Sequence, residues 1–154
     1  MVTVVDDQGE SALGPLVTRA AVLKRAYSWV DENVPHNGRE WWSNEFGCYR
    51  TDSAGYLAMA WQLPESVAGI EAVAEVSDPI EKAMLLPGDV LLRREGTPVT
   101  RHAAIFEDWV ETASRMSFWG LEQRTGLGAV RRRIRYPYEN SSTRYEPYRY
   151  RNIL

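Results

Sequence analysis

Ser53 and His102 are the two residues whose types and settings could do acyl chemistry. Ser53 lies in Tyr49-Arg50-Thr51-Asp52-Ser53-Ala54-Gly55-Tyr56, directly ahead of an apolar helical run. Either Asp52 or Ser53 caps that helix, which puts the hydroxyl at or near the positive end of a helix dipole. A nucleophile there gains stabilisation of its anion and backbone N–H groups to hold an oxyanion. A serine in this position also serves simply as a cap, so Ser53 alone does not assign a reaction. His102 opens His102-Ala103-Ala104-Ile105-Phe106, which reads as a strand and would supply a base.

The elements that must position these residues follow from periodicity and punctuation. Residues 1–16 mix acids, glycine and proline, and read as a poorly ordered lead-in to one domain over 17–154. Thr18 is placed to cap a helix over 19–33, with Val22, Ala26, Trp29, Val30 and Asn33 near one stripe, and Pro35 ends it. Residues 36–51 hold Trp41, Trp42, Phe46 and Tyr49 among polar residues, and are expected to form an aromatic-rich loop. From Ser53 the spacing of Tyr56, Leu57, Ala60 and Trp61 predicts a helix, and a second is expected over 66–76. Leu85-Leu86-Pro87-Gly88-Asp89 is a turn feeding a strand that begins at Val90. Strands are expected at 101–107, 115–122 and 128–136, followed by a tyrosine-rich tail laid across the domain. Helices first and an antiparallel meander after them make an α+β arrangement.

Composition narrows the function classes. The net charge of −3 gives no general attraction to nucleic acid. The run Arg131, Arg132, Arg133 reads as a solvated strand edge rather than a phosphate site. The single cysteine, Cys48, excludes an intrachain disulfide and a cysteine-rich metal site, and two histidines, His36 and His102, do not make a multi-histidine centre. No metal or cofactor is therefore expected. No apolar run approaches the ~20 residues of a membrane helix, and the N-terminus lacks the pattern of a secretory signal. The chain as written is expected in the cytoplasm, or outside the cell if a signal has been removed.

Three segments in this order, Tyr49 through Tyr56, Leu86-Pro87-Gly88-Asp89-Val90 and His102 through Phe106, resemble the NlpC/P60 cysteine peptidases over residues 17–136. The resemblance implies a papain-like core in which a helix headed by the nucleophile packs on an antiparallel sheet. It also implies hydrolysis of amide bonds in peptides of the cell wall. Carried over by position, Ser53 takes the nucleophile's place and His102 the base's. Tyr49 and Asp52 take the places of residues that line the site and hold a substrate amine. The residue that orients the histidine falls on the following strand, where Glu122 is the best placed and Gln123 the alternative. Asp108 is expected in a turn.

Two departures bear on activity. The family's Asp-Cys-Ser-Gly reads Asp52-Ser53-Ala54-Gly55 here. A cysteine of reference pKa about 8.5 can exist as a thiolate beside an imidazolium, whereas a serine must lose its proton during attack. A loss of several orders of magnitude in rate is expected. Cys48, five residues before Ser53, reads as a buried or incidental thiol and not a substitute nucleophile. The functions that follow are an impaired amidohydrolase, an inactive peptide-binding domain, or an acyl-transfer enzyme on the same scaffold.

Overall fold

The computed structural model describes residues 13–67, 69–97, 100–139 and 144–154. The described residues are α+β, with three α-helices, a six-stranded antiparallel sheet and a separate two-stranded hairpin. Helix α1, Arg19–Asp31, begins where Thr18 accepts a hydrogen bond from the Ala21 N–H at 3.0 Å. It buries Val22, Ala26 and Trp29 along one face. It stops two residues before the expected end, because Asn33 takes a left-handed conformation (φ 53°) past the cap and leaves the stripe exposed.

Residues 36–51 are not a loop. Asn37–Asn44 (β1) and Gly47–Thr51 (β2) pair as an antiparallel hairpin, with a register shift between Asn37 and Trp41. Helix α2, Ser53–Ala60, is buried at every residue and forms the centre of the domain. Helix α3, Ile70–Glu75, is shorter than the expected 66–76 and starts after Gly69, whose φ of 86° suits a residue without a Cβ.

The large sheet runs β3-β8-β4-β5-β6-β7, where β3 is Ser77–Pro79, β4 Val90–Arg93, β5 His102–Trp109, β6 Ser117–Arg124, β7 Gly128–Arg135 and β8 Glu146–Tyr150. The tyrosine-rich tail is thus corrected from a surface covering to an interior strand: β8 pairs with both β3 and β4. Asp108 lies in β5 beside a bulge, not in a turn. Side chains alternate across the sheet. Val90, Leu92, Ala103, Ile105 and Leu121 pack against α1 and α2. Leu91, Ala104, Phe106, Phe118 and Ile134 form a second core on the far face, closed by Tyr138 and Tyr145.

Two charge clusters tie these elements together. Asp89, fully buried in the Pro87-Gly88-Asp89 turn, accepts from Arg19 of α1 at 3.0 Å, from Arg149 of β8 at 3.0 Å and from the Leu86 N–H at 2.8 Å. On the edge strand β7, Arg131 pairs with Glu107, Arg132 with Glu122 and Arg133 with Glu111. The arginine run is therefore a ladder of intramolecular ion pairs. Of the expected lead-in, residues 1–12 lie outside the described residues, while the Gly14 and Pro15 carbonyls accept from Asn152 and Tyr150. No helix of the described residues is long and apolar enough to cross a membrane.

Candidate active site

Ser53 is the first residue of α2, and Asp52 is the cap. The Asp52 carboxylate accepts from the Gly55 N–H at 2.7 Å and from Arg50 Nε at 2.8 Å, while its carbonyl accepts from the Tyr56 N–H. That leaves the N–H groups of Ser53 and Ala54 for the oxygen of a bound carbonyl. Gly55 permits the chain to turn this tightly. A Cβ there would stand 1.8 Å from the Arg50 carbonyl oxygen.

The Ser53 hydroxyl is buried against β5. It accepts from the Ala103 N–H at 3.1 Å and donates to the Ala103 carbonyl at 3.4 Å. Both contacts are to the backbone of the residue after His102, and no hydrogen bond joins Ser53 to the imidazole itself.

His102 Nε2 lies 2.7 Å from Glu122 Oε1 on the neighbouring strand. Glu122 is fully buried and also accepts from the Tyr138 hydroxyl at 2.6 Å and from Arg132 Nε at 2.6 Å. Burial pushes its carboxyl up, but His102, Tyr138 and Arg132 outweigh burial and hold it below the ordinary carboxylate range. Burial and the nearby Glu122 charge both push the Tyr138 phenol up. An ionised carboxylate accepts only, so the imidazole Nε2–H donates to Glu122. The Tyr138 ring meets the imidazole edge-on at 5.4 Å and stacks on Tyr145 at 4.3 Å, which fixes the plane of the histidine.

Alternation along β5 places His102 on the sheet face opposite α2 and Ala103 on the helix face. The two candidate residues nevertheless share one space. A cavity of about 820 Å³ wraps the end of the sheet, lined by Ser53 and Asp52 from the helix side and by His102, Tyr138 and Tyr145 from the other. It is of the size that takes a small organic ligand.

The remaining candidates divide. Asp52 reaches the cavity, but Tyr49 does not: its hydroxyl donates to the Leu63 carbonyl at 2.6 Å inside the core. Gln123 lines the cavity but turns its Nε2 to the Val34 carbonyl and not to the histidine. Cys48 sits in β2 away from the cavity, and Asp108 bonds the Trp109 N–H. Of residues 36–51, His36, Gly38 and Arg50 line the cavity. Trp41 is exposed, and Trp42 donates to Glu32. Arg132, expected on a solvated strand edge, and Tyr138, expected in a surface tail, are further partners of Glu122. The alternating ion-pair potential of β7 was the one available signal. Among the described residues no three His, Cys, Asp or Glu side chains converge to hold a metal ion.

Compared with known proteins, the chain matches no family model and no curated protein.

Proposed function

We propose that this chain is a papain-like, NlpC/P60-like amidohydrolase domain in which Ser53 stands at the nucleophile's place, binding a peptide or amide and turning it over slowly. The observation that carries this reading is the His102–Glu122 pair at 2.7 Å opening on the same cavity as Ser53 at the leading end of α2. In the attack step the Ser53 oxygen bonds to the carbonyl carbon while its proton passes through water in the shared cavity to His102 across the sheet. The N–H groups of Ser53 and Ala54 receive the oxyanion. The imidazolium, held by Glu122, then protonates the leaving amine as the C–N bond breaks. Water repeats the sequence on the acyl-serine, releasing the acid.

The rate is limited by two features. A serine hydroxyl is far less acidic than a thiol, and this hydroxyl must first leave the Ala103 backbone. Ser53→Cys tests the reading on γ-D-glutamyl peptides and related amides. Hydrolysis should rise by about 100-fold or more over the wild type, from the thiolate and the restored geometry, and His102→Ala in that background should abolish it. No gain over background removes the hydrolytic reading.

A second reading, a peptide-binding domain without turnover, is favoured by the engagement of both hydroxyl roles of Ser53 with Ala103. It predicts binding that is indifferent to Ser53→Ala and no acyl-serine under any condition.

A further inference from the structure

The cavity carries more positive charge than acyl chemistry requires. Arg50, Arg101 and Arg124 all line it. Arg50 is paired with Asp52. Among the described residues Arg124 pairs with no acid but Glu122, at 3.9 Å, a carboxylate already accepting from His102, Tyr138 and Arg132. Arg101 forms no ion pair with an acid among the described residues, and its Nε is buried without a hydrogen-bond partner. Glu71 feels the Arg101 charge but is itself held by Arg94.

A second unmet group stands in the wall of the same cavity. Gln123 is fully buried and lines the cavity, with Nε2 committed to the Val34 carbonyl and Oε1 lacking a donor. Buried polar atoms are nearly always satisfied, so an unsatisfied donor and an unsatisfied acceptor beside one cavity describe the complement of a ligand. The donor is a guanidinium, whose fork suits an oxyanion, and the acceptor is an amide oxygen, which suits an N–H.

We propose that the cavity holds a ligand joining an oxyanion to an amide N–H, namely an N-acylated amino acid or the carboxylate end of a peptide. The carboxylate lies between Arg101 and Arg124, and the amide N–H donates to Gln123 Oε1. This deepens the hydrolase reading by naming the ligand class, and it rests on that reading for the ligand's place beside Ser53. A free phosphate offers the same oxyanion and an O–H, but lacks the spacing between carboxylate and amide N–H that would reach both groups.

Calorimetric titration of the full chain tests this with N-acetyl-dialanine, its C-terminal amide and inorganic phosphate as probes. The free acid should bind at least about tenfold more tightly than the amide, in the range of one charge-assisted contact. Arg101→Gln and Arg124→Gln should each weaken the acid about tenfold, leave the amide unaffected and keep the thermal midpoint. Arg101→Lys should recover part of the loss. Equal affinity for acid and amide, no binding of the acid, or phosphate binding more tightly than the acid each overturns the assignment. The hydrolase reading fails separately. If Ser53→Cys gives no turnover while acid is still preferred over amide, the subsite stands and the hydrolysis does not.

Discussion

The Ser53 Oγ lies 3.1 Å from the amide nitrogen of Ala103, the residue that follows His102 in the chain. Ser53 and the strand that begins with His102 are therefore tied through the backbone, with the imidazole not involved in the tie. The contact also satisfies a buried N–H at the start of β5. Ser53→Ala leaves that N–H without an acceptor and should lower unfolding free energy by about 1–2 kcal/mol in urea denaturation. An unchanged midpoint would show that the hydroxyl contact contributes nothing to the fold.

Glu122 should register in the pH dependence of stability. Its folded carboxyl is held below its unfolded value of about 4.5, net of burial, by His102, Tyr138 and Arg132. The stabilisation is therefore complete above the unfolded value and is lost as pH falls below about 4.5 towards the folded value. Urea midpoints measured from pH 6 down to pH 3 should fall more steeply for the wild type than for Glu122→Gln. At pH 7 the same substitution should cost about 1–3 kcal/mol, because Arg132 and Tyr138 lose the carboxylate they share while Arg132 keeps Glu139. Parallel pH profiles for the two proteins would contradict the ionised state of Glu122.

Gly55 should tolerate no side chain. The atom in the way is a backbone carbonyl, 1.8 Å from where a Cβ would sit, and it cannot rotate aside. Gly55→Ala should cost at least ~4 kcal/mol or prevent folding. Circular dichroism of a stable, native-like variant would refute the tight turn from β2 into α2.

Asp89 holds α1, β8 and the turn before β4 through Arg19, Arg149 and the Leu86 N–H. Asp89→Ala removes the shared acceptor and leaves two arginines facing each other. A loss of about 3–5 kcal/mol is expected, read as a lower thermal midpoint. Arg149→Met in the Asp89→Ala background should recover part of that loss.

Much of the architecture was legible from local signals. Thr18 and Asp52 announced their helices, and apolar runs bounded by glycine and proline turns placed β4 to β7 within a few residues. The hairpin β1–β2 escaped because Asn37 through Trp41 are exposed and show no alternation. Its first pairing is also broken by a register shift. Strand β8 escaped for a different reason. Its partners Ser77–Pro79 and Val90–Leu92 lie more than fifty residues away in sequence, and pairing over that distance leaves no trace in local pattern.

At the site, Glu122 was legible as the histidine's partner because it falls on the next strand, on the face that alternation gives to His102. Arg132 and Tyr138 were not, since their role appears only when β7 and the segment after it fold back over β6. Tyr49 went the other way. A residue four before Ser53 is close in sequence, yet the pleat of β2 turns its ring into the core beside Leu63.

The position of β8 between β3 and β4 has a consequence for biosynthesis. Both neighbours leave the ribosome long before Glu146 does, so the nascent sheet waits with a gap where its interior strand belongs. During that interval β4 presents unpaired amides and carbonyls on one side, the kind of surface on which chains self-associate. Chains stopped ahead of Glu146 should accumulate in the insoluble fraction, and holding factors that shield open strand edges should raise the yield of the intact protein.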